Sequence, residues 1–132
     1  MTGENVEIVH DASSLMNVGD FDAAFEMLDP DIEWVVAGEH PSSRTITGRE
    51  ALAEYQRDWQ EVLGDMRVEY ERVLDAGHAV VAIGTVRGTG TESGADVRVP
   101  IAFLITLRNG LIARVEEYLN PVDALEAAGL SE

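Results

Sequence analysis

Cysteine and lysine are both missing from these 132 residues. Without cysteine there is no disulfide, no thiolate nucleophile and no cysteine-ligated metal. Without lysine no Schiff base can form on a carbonyl substrate. All nine basic residues are arginines, set against 25 acidic ones, and the formal charge is −16. That balance argues against nucleic acid as a partner, because phosphate binding needs concentrated positive charge. An anionic membrane surface is disfavoured for the same reason. No apolar run approaches the roughly 20 residues of a membrane span, and the opening residues lack a secretion-signal pattern, so a cytoplasmic setting is expected. His10, His40 and His78 fall on a helix, a loop and a turn, without the close spacing of a zinc site. Neither a metal nor a cofactor is expected. Gly84, Gly88, Gly90 and Gly94 lie in or beside β runs and precede no helix, so they make no phosphate loop. They fit strand curvature or bulges instead.

What is present reads as one folded domain over residues 1–132. The apolar fraction of 45% is enough for a core and argues against disorder. Ile8, Ala12, Leu15 and Met16 recur at helical spacing, and Gly19 suits the stop. Asp20 caps a second pattern through Phe21, Ala24, Phe25 and Leu28, ended by Pro30. Ile32-Glu33-Trp34-Val35-Val36 then turns β, and Ala37 to Ile46 reads as a loop. Thr47-Gly48-Arg49-Glu50 has the form of a capping box. The helix behind it presents Leu52, Tyr55, Trp59, Val62 and Leu63, and Gly64 closes it. From Met66 the period changes to two: Met66, Val68 and Tyr70 alternate with charged residues. Asp75 to His78 is a turn, and His78–Thr89 and Val97–Arg108 are long β runs. Asn109-Gly110 is a hairpin signal, since both residues tolerate positive φ. Leu111 to Leu119 is the last strand, followed by a short helix capped by Asn120-Pro121. The fold class is α+β: a curved antiparallel sheet under three helices from the N-terminal half, enclosing a hydrophobic pocket.

Two central strands are apolar on both faces. Val81 and Ile83 oppose Val80, Ala82 and Val86; Ile101, Phe103, Ile105 and Leu107 oppose Ala102 and Leu104. A sheet with one wet face alternates more cleanly. Helices cover one face, and a second copy of the chain is the expected cover for the other, giving a homodimer through the sheet.

The phrases Gly19-Asp20-Phe21-Asp22-Ala23, Leu28-Asp29-Pro30-Asp31-Ile32-Glu33-Trp34, Thr47-Gly48-Arg49-Glu50-Ala51-Leu52, Arg108-Asn109-Gly110-Leu111-Ile112 and Glu116-Glu117-Tyr118-Leu119-Asn120 resemble the SnoaL-like branch of the nuclear transport factor 2-like superfamily. The resemblance covers nearly the whole chain and implies a cone-shaped fold around a cavity for a small hydrophobic molecule. It does not choose a reaction, because one fold carries many. SnoaL-like polyketide cyclases place an aspartate just after a last-strand aromatic; here Leu119 follows Tyr118. Limonene epoxide hydrolase-like members place an aspartate just before a last-strand tyrosine, where Glu117 keeps the carboxylate, and add an Arg-x-Asp pair on an earlier strand. Arg87 is the only charge there, and no aspartate accompanies it. A ketosteroid isomerase-like site pairs acid with phenol, for which Tyr55 and Glu117 are the nearest equivalents.

Strand alternation groups Val115, Glu117 and Leu119, and the resemblance turns that set toward the cavity. A carboxylate walled by apolar side chains loses hydration, rises in pKa and becomes a usable acid or base; alternatively, Glu117 forms a structural pair with an arginine. Arg87 and Arg98 flank the Gly90 to Asp96 connection and are expected nearly opposite one another across the hairpin, where they either orient an anionic or enolate oxygen together or pair with Glu92 and Asp96. Tyr55 is a candidate proton donor. Trp34, Trp59 and Phe103, with Val115 and Leu119, form the expected substrate lining. Two functions follow: a cofactor-independent enzyme of the isomerase, cyclase, dehydratase or epoxide-hydrolase kind acting on a polyketide-, steroid- or terpenoid-like ring, or a non-catalytic binding or dimerisation module.

Overall fold

The computed structural model describes residues 3–37 and 45–130. Helices α1 (Gly3–Asn17) and α2 (Phe21–Glu26) precede strand β1 (Leu28–Val35). A three-residue strand β2 (Thr45–Thr47) leads into α3 (Arg49–Val62), which runs directly into β3 (Leu63–Asp75). Strands β4 (Ala79–Gly90), β5 (Asp96–Arg108) and β6 (Leu111–Tyr118) follow, and α4 (Pro121–Ala127) ends the ordered elements. The α+β class and the three helices from the N-terminal half are as expected. The sheet order is β2-β1-β6-β5-β4-β3, antiparallel except where β1 runs parallel to β6. One parallel pair is the natural result of returning to the start of the chain across a helical excursion.

Local chemistry explains the junctions. Asn109 and Gly110 both take positive φ, 56° and 78°, and turn β5 into β6. The Asn120 side chain accepts from the Val122 N–H with Pro121 at the first helical position, so α4 starts where the sequence places it. Three expectations are corrected. Pro30 does not end α2: the helix stops at Glu26, and Pro30 sits within β1 at a register irregularity where that strand has no second neighbour, a position that tolerates a missing donor. The capping box does not form. Thr47 is paired with Glu33 in β2, so the cap shifts to Gly48, which has no side chain to donate or accept. Gly64 does not terminate α3, because β3 has already begun at Leu63.

The two faces of the sheet bury different things. Val80, Ala82, Ile101, Phe103, Ile105 and Val115 pack with Val9 of α1, Leu52 of α3 and Leu28 and Ile32 of β1. On the other face Ala79, Val81, Ile83, Ala102 and Leu104 pack with Ala124, Leu125 and Ala128 of α4 and the turn after it. The apolar strip that led to a partner subunit is therefore covered, at its centre, by the chain's own last helix. The end of α1 is tied to the sheet edge by Asn17, whose amide donates to the Val68 carbonyl (2.9 Å) and accepts from the Val68 N–H (3.0 Å). That pair imitates a strand neighbour and holds α1 over the concave face.

Candidate functional site

Between α1, α3 and the concave face lies a cavity of about 470 Å³. Among the described residues Glu117 is the one acidic side chain that lines it, and it enters from β6 beside Phe103, its register partner on β5. Among the described residues three donors converge on the carboxylate. The Trp34 indole N–H donates to Oε2 at 2.5 Å, the Tyr55 hydroxyl to the same oxygen at 2.9 Å, and the Ala37 backbone N–H to Oε1 at 3.1 Å. Each donor has its own structural reason for being there. Trp34 faces inward because it sits beside Val115 across the parallel β1–β6 pair. Tyr55 projects from the middle of α3, and Ala37 is supplied by the chain leaving β1. A carboxylate is an acceptor with about four lone-pair sites, and among the described residues these three donors take three of them. In a largely apolar enclosure these charge-assisted bonds are stronger than in water.

The aromatic lining is one connected set. Trp34 and Phe103 meet edge to face at 5.9 Å between centroids, Phe103 and Tyr70 at 6.3 Å, and Trp34 and Tyr55 tilt at 6.5 Å. Beneath it, on the side away from Glu117, lies a second cavity of about 100 Å³ lined by Val9, Ala12, Ala24, Phe25, Leu28, Leu52 and Val115 among others. Ser13, Met16, Trp34, Tyr55, Gln56, Tyr70 and Phe103 line both spaces and so form the wall between them.

Of the expected site residues, Glu117, Tyr55, Trp34 and Phe103 come together. Val115 lines only the inner cavity and Leu119 only the outer. Trp59 also lines the outer cavity, but it is 41% exposed rather than packed in a helix core. Arg87 requires correction. It shares the parity of Val81 and Ile83, so its strand carries it to the face opposite the cavity, where its guanidinium binds Glu69 at 3.2 Å. Facing Arg98 across the hairpin is as expected, but the hairpin points both away from Glu117. The Arg87 guanidinium, ahead of the opposing effect of burial, holds the Glu69 carboxyl below its usual value. His40 lies outside the described residues. Among the described residues no three His, Asp or Glu side chains gather as a metal set, and no helix is long and apolar enough to cross a membrane.

Sequence reasoning missed Tyr70, Gln56, Met16 and the Ala37 N–H. Tyr70 was visible as the dry side of β3, whereas a backbone donor has no sequence signature. Burial pushes the Tyr70 phenol up to about 12 from its ordinary 10.0, with a hydrogen bond to Ser13 partly opposing it. A raised folded-state pKa means the fold prefers the neutral phenol. Its contribution is therefore complete below pH 10 and is lost as pH climbs from 10 toward 12. Urea unfolding at pH 9 and pH 11.5 should show a loss on the order of 2 kcal/mol in the wild type and a distinctly smaller one in Tyr70→Phe.

The comparisons agree with this architecture. Bal32a, from a soil-derived mobile gene cassette, is 20% identical with 89% of each chain covered and a TM-score of 0.78. TerC, co-crystallised with polyporic acid, is 24% identical over 96% of this chain and 98% of its own, with a TM-score of 0.77. A nuclear transport factor 2-like protein of Burkholderia xenovorans LB400 is 28% identical over 97% of both chains, with a TM-score of 0.73. No curated protein sequence matches the chain. The family described as a SnoaL-like domain matches residues 9–115, and the chain belongs to it.

Proposed function

We propose that this chain is a cofactor-independent proton-transfer enzyme acting on a small hydrophobic ring compound that carries a carbonyl. The observation that carries the reading is the aim of Trp34, Tyr55 and the Ala37 N–H at Glu117, the one carboxylate among the described residues that line a mostly apolar cavity. In this reading Glu117 takes a proton from the carbon next to the carbonyl. The C–H electron pair becomes the new C=C bond, and the carbonyl π pair moves to oxygen as an enolate. The Tyr55 hydroxyl, released once Glu117 is protonated, turns to the enolate oxygen. Glu117 then returns the proton to a different carbon, which isomerises the substrate, or sets up ring closure or loss of water. Fixed donors of this kind act where charge develops and need no reorganisation during the reaction. Polyporic acid in TerC supports a ring-bearing ligand. Epoxide hydrolysis is the weaker form of the proposal, since Arg87 stands on the far face and cannot serve an Arg-x-Asp pair. The test is deuterium uptake at the α- and γ-carbons of β,γ-unsaturated cyclic ketones in D₂O, followed by NMR with wild type and Glu117→Gln. Uptake with wild type alone supports the reading.

A second reading, a non-catalytic binding module, is favoured by two features: three donors already occupy the carboxylate, and Leu119 rather than an acid follows Tyr118. Binding of the same ketones without exchange would establish it. Both readings include self-association through the sheet. The supporting surface is the Thr85–Arg87–Arg98 end of the outer face, which lies beyond the strip packed with α4. Light scattering is expected to give twice the chain mass, and a monomer at 100 μM would remove this part of the proposal.

A further inference from the structure

The small inner cavity is separate from the chemistry assigned to Glu117, and its composition is distinctive. Its floor and sides are Val9, Ala12, Ala24, Phe25, Leu28 and Leu52. An apolar space of this kind stays dry and accepts hydrocarbon rather than water. Taking a six-carbon ring in roughly 150 Å³ as the scale, about 100 Å³ has room for about four carbons. The wall toward the outer cavity includes Met16, whose unbranched, adaptable side chain yields more readily than a ring. Two other members of that wall, Trp34 and Tyr55, are the residues hydrogen-bonded to Glu117. A chain threaded past Met16 thus leaves the atoms at its root beside the carboxylate.

We propose that the inner cavity is a specificity pocket for a short unbranched alkyl arm, about four carbons long, whose attachment point is the carbon presented to Glu117. This rests on the carbonyl-compound reading above and narrows it to rings bearing such an arm. The ring body remains in the outer cavity, and the closed floor sets the length of the arm.

The test is calorimetric binding of the n-alkyl phenyl ketone series from acetophenone to octanophenone to wild type, Ala12→Leu and Val9→Ala. In wild type, affinity is expected to rise about fourfold per added methylene and to stop rising once the arm beyond the α-carbon exceeds about four carbons, that is, past hexanophenone. Ala12→Leu fills the inner cavity, so valerophenone is expected to bind at least tenfold more weakly while acetophenone changes less than twofold. Val9→Ala enlarges it and moves the break to longer arms, which keeps the inference testable should the leucine variant not fold. Affinity that climbs unbroken to octanophenone, or an Ala12→Leu variant that weakens all members equally, overturns the inference and leaves the Glu117 assignment to its exchange assay. Failure of every ketone to bind overturns both.

Discussion

Glu117→Gln is expected to lower α-proton exchange by 10²- to 10⁴-fold, the range for loss of a positioned general base. The substitution keeps the size of the side chain and one acceptor oxygen but removes the proton acceptor. It also carries a structural cost that separates this site from a simple catalytic deletion. The amide has two donors and one oxygen, while three protein donors point at the position. If the oxygen stays with the Trp34 indole, the NH₂ meets the Ala37 N–H, donor against donor. The Tyr55 hydroxyl can rotate to accept, whereas an indole or a peptide N–H cannot. A stability loss of about 1–3 kcal/mol is expected from one unsatisfied, partly buried donor. Activity and stability should therefore fall together but at different scales, with exchange lost under conditions where the variant is still folded. Arg87→Ala is the control. It removes a half-buried ion pair on the far face and is expected to leave exchange unchanged. A glutamine variant that keeps wild-type exchange rates would move Glu117 from base to scaffold.

The site was legible in the sequence to the extent that strand parity was. Trp34 in β1 and the Val115–Glu117–Leu119 set in β6 lie on strands whose inward residues could be assigned from alternation and resemblance, and both face the cavity. Arg87 was not assignable, because β4 is apolar on both faces and its parity gives no preference for either. The dense packing on its outer face belongs to α4, a seven-residue helix whose docking position no local pattern encodes. The capping box failed for a comparable reason. Thr47 has the right chemistry for a cap, but β2 claims its backbone for pairing with Glu33, and tertiary pairing overrides local preference. The inner cavity was invisible altogether. Its walls come from α1, α2, β1 and α3 as well as the sheet, and a void is a property of their packing rather than of any segment.

Gly84→Ala is expected to be the most damaging conservative substitution in the chain, costing about 3 kcal/mol or more. Gly84 pairs with Tyr70 across β3–β4, next to an irregularity where Glu71 is passed over in the register. A methyl group built on its Cα would lie 2.1 Å from the Glu69 carbonyl oxygen and 2.9 Å from the Tyr70 Cα. Both are backbone atoms, so no rotamer change relieves the clash; the strands must separate. The bulge and the bare glycine together let β3 bend closely across β4, and that bend carries Tyr70 over Phe103 into the wall between the cavities. Widening it should lower the melting temperature by roughly 10 °C or more, given about 3–5 °C per kcal/mol for a domain of this size. The damage should extend beyond stability, because a displaced Tyr70 opens the inner cavity to the outer one. In the variant, the chain-length break in the alkyl phenyl ketone series is expected to blur, even at temperatures where the protein is fully folded. A Gly84→Ala protein that melts within 2 °C of wild type would mean that β3 has slack here, and that the bend over the cavity is held by α1 and Asn17 rather than by the glycine.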